Sequence, residues 1–157
     1  MRIFGTMLAI ATLAGSLQAC SSGGGSGGGK FIGTWHPSSG TVTTTCPGLG
    51  TSTDPVTTNL IWAMGVSSDL VQTDPSTSCV LSANITGSTA SGSGPPCSFS
   101  DQMGGTFTLT ISTYTFALAA DGQTAQENGS GTLVDNNGGV SVTCSLSETA
   151  AYQKISN

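Results

Sequence analysis

The sequence predicts an all-β protein, a single antiparallel domain of eight to ten short strands. Only 7% of the residues are charged, whereas 36% are hydrophobic and Gly alone accounts for 23 positions. This composition suits strands joined by tight turns, because Thr favours strands while Gly and Ser favour turns. Apolar residues recur at alternate positions in successive segments, and no stretch keeps helical spacing over three turns. The alternation leaves two architectures open, a closed barrel and a β-sandwich.

The first half of the domain contains three segments in which one face is predicted to be buried. A strand is expected at 31–35, and strands with alternating apolar residues are expected at 40–46, 59–66 and 79–86. Period-two spacing places one side chain in two against the core. The residues assigned to these inward faces are Val42, Thr44, Cys46, Leu60, Trp62, Met64, Val66, Cys79, Leu81, Ala83 and Ile85.

The second half contains two signals that change the direction or the register of the chain. Apolar residues keep one parity up to Ile111 and take the opposite parity from Tyr114 onward. A slip of one residue exchanges the two faces of a strand, so a tight turn or a β-bulge must lie near Ser112, and we expect the turn. The run 136–139, Asn-Asn-Gly-Gly, predicts a hairpin because Asn and Gly tolerate positive φ. The strand after it places Val140, Val142, Cys144 and Leu146 inward.

The first predicted strand carries Gly33-Thr34-Trp35, which resembles the Gly-x-Trp of lipocalin-like barrels, where the Trp plugs one end. The resemblance implies an up-and-down barrel rather than the sandwich. Aromatic residues inside such a barrel either line a ligand cavity or fill the core, and we expect a filled core because small barrels are usually packed by their own side chains. The residues that would line a cavity are Trp35, Trp62, Phe107, Tyr114 and Phe116.

The N-terminal segment predicts export. Arg2 gives a positive start, and residues 3–17 are predominantly apolar and uncharged, which is typical of a signal peptide spanning residues 1–19. Its apolar part is shorter than the roughly 20 residues that a membrane-spanning helix needs. The sequence Leu17-Gln18-Ala19-Cys20 resembles the lipobox of bacterial lipoproteins. This resemblance implies cleavage before Cys20, diacylglycerol on its thiol and, often, a further acyl chain such as palmitate on its amine.

Residues 20–29 are predicted to tether the β-domain, 30–157, to a membrane, because a Gly/Ser run remains flexible. Ser21 after the lipidated Cys20 resembles an outer-membrane sorting signal, so we expect the cell outer membrane as the location. Removal of Arg2 takes the net charge from −5 to −6. With no basic cluster, nucleic-acid binding and electrostatic docking on anionic lipid are excluded, and the acyl chains must hold the membrane.

Four cysteines remain after Cys20, an even number that predicts two disulfide bonds in an exported protein. Three pairings are open. Cys79 and Cys97 bracket a Gly- and Pro-rich excursion, and a closed barrel would bring the early strand ending at Cys46 beside the late strand of Cys144. We therefore expect the pairs Cys79–Cys97 and Cys46–Cys144. A zinc site is disfavoured because the chain lacks a Cys-x-x-Cys pair and has one His. No metal or other cofactor is expected.

No catalytic constellation is evident in the sequence. The run 24–28 fits the Gly-x-Ser-x-Gly pattern, but no strand precedes it and no helix follows. His36, the single His, stands beside Pro37 at a strand end, which favours a surface or capping role. Most acids adjoin turn residues, so a turn role outweighs a surface calcium site or a carboxylate pair in catalysis. The eight acidic residues of the chain are Asp54, Asp69, Asp74, Asp101, Asp121, Asp135, Glu127 and Glu148.

These observations predict a non-enzymatic, monomeric cell-envelope lipoprotein with a binding or structural role. In one version a lipocalin-like barrel carries a small apolar ligand. In the other, a closed-core barrel uses its Thr-, Ser- and Asn-rich outer faces against a glycan or an envelope protein. The remaining alternative is a secreted-type hydrolase that uses His36 or a pair of carboxylates.

Overall fold

The computed structural model describes residues 28–74, 77–100, 105–137 and 140–157. The predicted signal peptide, Cys20 and all but the last two residues of the tether lie outside these ranges. No helix among the described residues is long and apolar enough to cross a membrane. After a 3₁₀ turn at Gly28–Lys30, the strands are β1 (Gly33–Cys46), β2 (Gly50–Pro55), β3 (Leu60–Met64), β4 (Leu70–Thr73), β5 (Val80–Thr86), β6 (Thr89–Ser100), β7 (Thr106–Leu118), β8 (Thr124–Asn137) and β9 (Val140–Ser156).

The strands form a closed antiparallel barrel. From β3 to β9 each strand pairs with the next in the chain, and pairing of β1 with both β3 and β9 closes a barrel of eight strands. The ninth strand, β2, lies outside this circuit and pairs with the second half of β1. The all-β, up-and-down barrel predicted from the sequence is confirmed, and the sandwich is not formed.

The register change in the second half of the chain is a β-bulge, and the expected tight turn is wrong. Strand β7 continues without a break, and its register against β8 shifts between Ile111 and Thr113. Both neighbouring strands stay paired on either side of the shift, so one extra residue is absorbed without ending the sheet. The bulge re-aims the side chains and brings Ile111 and Tyr114 to the same interior face.

The predicted hairpin after β8 is confirmed by the pairing of Asn137 with Val140, although residues 138–139 lie outside the described ranges. The inward faces were predicted too long in two places. Val66 is exposed because it lies beyond the end of β3, and Met64, the last residue of β3, is exposed as well. Val140 is also exposed, and the buried part of β9 begins further along the strand.

One end of the barrel, here called the packed end, is filled with aromatic side chains. Trp35 has no exposed surface, meets Phe116 edge to face at a centroid distance of 5.1 Å, and donates from Nε1 to the Phe31 carbonyl oxygen at 2.8 Å. Gly33 has a φ of 126°, and a Cβ there would overlap the Ser156 carbonyl oxygen. Glycine is therefore required beside the Trp that closes this end.

The opposite end, where β4 leads to β5 and β8 to β9, is here called the mouth. Both expected cysteine pairs lie on this side of the barrel at disulfide distance. Cys46 and Cys144 join β1 to β9 with a Cα separation of 4.2 Å. Cys79, directly before β5, is linked to Cys97 of β6 with a Cα separation of 5.6 Å.

Candidate functional site

A cavity of about 160 Å³ lies inside the barrel on the mouth side. Its rim includes the exposed residues Val80 and Pro95 together with the Cys79–Cys97 disulfide, so the cavity opens to solvent there. The wall is largely apolar, and its polar residues are Gln72, Asp74 and a group of three, Tyr114, Glu127 and Glu148, that is called the polar cluster below. The apolar wall residues are Leu60, Leu81, Leu109, Ile111 and Leu146.

The cavity exists in part because a glycine on one strand lies between large side chains on the two neighbouring strands. Gly129 of β8 pairs with Tyr114 of β7 on one side and with Glu148 of β9 on the other. A Cβ at Gly129 would lie 3.8 Å from Tyr114 Cδ2 and 3.9 Å from Glu148 Cβ, which are ordinary contact distances. Glycine is therefore not required here by crowding, and its missing side chain leaves interior space open.

Buried polar atoms in and beside the polar cluster lack partners. Glu127 is 2% exposed and Tyr114 is 6% exposed. Glu127 Oε2, the Tyr114 hydroxyl and the hydroxyl of nearby Tyr152 have no hydrogen-bond partner of acceptable geometry among the described residues. A buried polar group without a partner destabilises a fold by about 1–3 kcal/mol. Such groups are rare in native structures and call for a specific explanation.

The two carboxyl groups of the polar cluster favour their protonated forms. Burial raises the pKa of Glu127, and the neighbouring Tyr114, Tyr152 and Glu148 side chains oppose this only in part. Burial, followed by the negative charge of Glu127, raises the pKa of Glu148 to about 8. Because the groups interact, they titrate as a pair. Burial, then the charge of Glu127, also raises the pKa of the Tyr114 and Tyr152 phenols.

No basic side chain compensates the polar cluster. Among the described residues that line the cavity there is no Lys or Arg, and Asp74 at the rim adds a further acid. The two lysines of the described ranges lie at the packed end, where Lys154 Nζ donates to the Lys30 carbonyl oxygen at 3.1 Å and sits 5.5 Å from the Trp35 ring centroid. The described residues also contain no group of three or more His, Cys, Asp or Glu that could hold a metal ion.

The five aromatic residues predicted for a cavity divide between the two ends. Trp35, Trp62 and Phe116 are buried in the packed core. Tyr114 lines the cavity, 5.7 Å from the Trp62 ring. Phe107 stacks on Phe99, also at a centroid distance of 5.7 Å. Only Tyr114 is therefore placed where it would contact a ligand in the cavity.

Glu127 and Glu148 are interior residues, whereas their sequence neighbours had indicated a place in turns for most of the acids. In β9 the signal was present: the inward parity of Cys144 and Leu146 continues to Glu148 and then to buried Ala150 and Tyr152. A charged residue on an inward face is an informative exception to ordinary burial. Glu127 was harder to find, because β8 around it consists largely of small and polar residues.

The other candidate features have structural roles. A second cavity of about 600 Å³ lies at the packed end, but its lining is mostly exposed turn residues and includes none of the unpartnered buried atoms. There the Asp121 carboxylate accepts hydrogen bonds from the Gln123 and Thr124 amides, which lower its pKa. His36 is exposed, with Nδ1 2.9 Å from Asn59 Oδ1.

Comparison of the chain with known protein families, with curated proteins and with solved structures finds no match. The features that indicate a function are therefore the cavity, its polar cluster and the sequence features at the N-terminus.

Proposed function

We propose that this chain is an exported, lipid-anchored binding protein and that the mouth cavity is its site for a small ligand. The observation that carries the proposal is the pair of unpartnered groups in the cavity wall, Glu127 Oε2 and the Tyr114 hydroxyl. Apolar side chains there would avoid the penalty for burying unpartnered polar groups. A ligand with hydrogen-bonding groups would supply the missing partners.

The outer surface supports the interior as the binding site. Several of its hydroxyl groups bond to one another across strands, as in Thr43–Thr53 at 3.3 Å, Thr45–Thr51 at 3.0 Å and Thr113–Ser130 at 2.7 Å. Cross-strand pairs of this kind stabilise a sheet. These hydroxyls therefore have a role without a glycan or an envelope protein, whereas Glu127 Oε2 and the Tyr114 hydroxyl have no bonded partner among the described residues.

Binding accounts for the polar cluster better than hydrolysis does. Two carboxyl groups with raised pKa are the ingredients of glycoside cleavage, which makes Glu127 and Glu148 the residues on which a hydrolase would depend. A cavity of about 160 Å³, however, is close to the roughly 150 Å³ that holds one benzene molecule in an engineered protein. That space is too small to enclose two sugar rings, one on each side of a scissile bond.

The anchor part of the proposal rests on Cys20 and the Gly/Ser run after it. In the host, metabolic labelling with palmitate is expected to mark the wild-type protein, which fractionates with membranes. Cys20→Ser is expected to lose both the label and the membrane association. An unlabelled wild-type protein that is free in the medium would remove the anchor from the proposal.

The cavity part is tested with a matched pair of variants on β8. Gly129→Leu directs a side chain into the cavity, whereas Asn128→Leu places the same side chain on the exposed face one residue away. Native mass spectrometry of protein purified from its host is expected to show a bound small molecule in the wild type and in Asn128→Leu. Gly129→Leu is expected to lack it. Wild-type protein without any bound or exchangeable small molecule would contradict the proposal.

A further inference from the structure

We propose that the ligand of the mouth cavity is a compact organic ammonium, held by the two glutamates of the polar cluster with its hydrocarbon part against the apolar wall. This inference rests on the proposed function, and it adds the chemical class of the ligand. The evidence is the unmet hydrogen-bonding capacity of the cluster, the absence of a protein cation and the size of the cavity.

The hydrogen-bonding capacity favours a ligand with N–H donors. A carboxylate only accepts hydrogen bonds, and Glu127 Oε2 is buried with no donor in hydrogen-bond geometry among the described residues, although the Tyr114 and Tyr152 phenols lie beside Glu127. An ammonium group supplies several donors and a charge, and hydrogen bonds between ionised groups are stronger than neutral ones. The Tyr114 ring beside the carboxyl groups adds a surface that attracts cations.

The charges of the domain favour a cationic ligand over an anionic one. Every ionisable group that faces Glu127 is an acid or a phenol: Tyr114 from β7, and Glu148 and Tyr152 from β9. Asp74 lines the same cavity from the β4 side. Both described lysines lie at the packed end, where Lys154 Nζ donates to the Lys30 carbonyl oxygen and lies near the Trp35 ring. An ammonium ligand would supply the positive charge that the described lining lacks, whereas an anion would meet three carboxyl groups and no cationic side chain among the described lining residues.

The volume limits the size of the ligand. A cavity of about 160 Å³ has room for about six to eight non-hydrogen atoms, judged from the benzene held in a cavity of similar size. The side chains of Leu60, Leu81 and Leu146 offer a branched alkyl group an apolar surface. A short branched alkyl ammonium matches both the wall and the polar cluster.

Binding of such a cation would be linked to proton release. The raised pKa of Glu148, about 8, keeps this carboxyl group protonated near neutral pH, and an ammonium would favour its ionised form. As the bound cation displaces up to one proton per carboxylate that it engages, affinity rises with pH over the range in which the pair titrates. Alkyl ammonium groups keep their proton to about pH 10.

Isothermal titration calorimetry with three probes of similar shape tests the inference: isoamylamine, isoamyl alcohol and isovalerate. At about pH 8 the amine is expected to bind at least tenfold more tightly than the alcohol, with isovalerate not bound. Its affinity is expected to rise severalfold from about pH 6 to about pH 8.5. Heats in buffers of different ionisation enthalpy are expected to show proton release.

Glu127→Gln and Glu148→Gln are expected to lower the amine affinity at least tenfold, whereas Asp54→Asn, which removes an exposed carboxylate from β2, leaves it unchanged. Circular dichroism of each variant verifies its fold. Equal binding of alcohol and amine, unaffected by either Gln variant but abolished by Gly129→Leu, would overturn the ammonium assignment and keep the cavity as a binding site. A failure of all three probes, together with wild-type protein that carries no exchangeable small molecule, would overturn the proposed function as well.

Discussion

The packed end and the mouth of this barrel are built from the same strands but stabilised in different ways. At the packed end, Trp35, Trp62 and Phe116 fill the interior and contact one another through their rings. At the mouth, Gly129 leaves space, and Glu127 brings a buried carboxyl group into it. At the packed end stability comes from apolar burial, whereas the mouth contains groups that reduce the stability of the fold.

The disulfides explain how the mouth tolerates its cavity. Both cysteine pairs lie on the mouth side, one closing the barrel between β1 and β9 and one bordering the cavity at β6. Covalent links limit the freedom of the unfolded chain and compensate for missing apolar contacts. The comparison teaches that the cavity and the aromatic packing around Trp35 lie at different levels of the barrel, and that Leu60, Leu81 and Tyr114 belong to both the core and the cavity wall. Substitutions away from these shared residues are expected to have different effects at the two ends.

The largest effect is expected from the disulfides. Replacement of Cys46 and Cys144 by Ser opens a link across 98 residues, and the chain-entropy argument gives a loss of about 4–5 kcal/mol. The same change at Cys79 and Cys97, which are 18 residues apart, is expected to cost about 3 kcal/mol. Urea denaturation of the two double variants measures both losses. The reverse order would show that loop length does not control the stability of the mouth.

Trp35→Ala is expected to lower the free energy of unfolding by about 3–5 kcal/mol, because a fully buried aromatic side chain leaves a void. The cavity at the mouth lies at the other end, so isoamylamine affinity of the folded fraction is expected to stay within about twofold of wild type. Denaturation and calorimetry on the same preparation give the two values. A loss of affinity that matches the loss of stability would contradict the separation of the two ends.

Above the pH range in which an ordinary carboxyl group titrates, the pH dependence of stability is expected to follow from the two glutamates of the mouth. The pKa values of Glu127 and Glu148 are raised in the folded state, so the folded protein holds these protons more tightly than the unfolded chain does. Their contribution is present below the unfolded pKa near 4.5 and is lost as pH rises to about 8. The free energy of unfolding is expected to fall by about 1–3 kcal/mol over this range. A flat profile in denaturation experiments would show that the pair is not buried in solution.

The smallest effect is expected from Tyr114→Phe. The ring keeps its contact with Trp62, and the variant removes a buried hydroxyl that has no hydrogen-bond partner. Stability is expected to stay equal or to rise by up to about 1 kcal/mol. A decrease of more than about 1 kcal/mol in a thermal unfolding experiment would mean that the hydroxyl forms a bond within the folded protein.

Much of the packed end was predictable from the sequence, and the mouth was not. Period-two alternation and the Gly33-Thr34-Trp35 motif are local, and they led to a closed barrel with an aromatic core. The bulge in β7 was recognised as one of two explanations, but only pairing with both neighbouring strands decides between them. The polar cluster depends on three strands brought together by that pairing, so no single segment predicts it.

The pairing of the cysteines was predictable for a related reason. Once a closed barrel is assumed, Cys46 and Cys144 lie on neighbouring strands and can form one disulfide. Cys79 and Cys97 are then left to form the other. The cavity has no such signal. It depends on Gly129 lying between two large side chains, and a glycine in a Gly-rich strand is typical of many structures besides a cavity wall.

The most direct test of the difference between the two ends is the free energy of unfolding of wild type and Glu127→Gln at about pH 8, measured by urea denaturation with and without saturating isoamylamine. If the carboxyl group serves binding, the variant is expected to be at least as stable as wild type without the amine. Wild type is then expected to gain clearly more stability than the variant when the amine is added, because the variant binds the amine at least tenfold more weakly. A variant that is less stable without the amine, or that gains as much from it as wild type does, would contradict this account of the mouth.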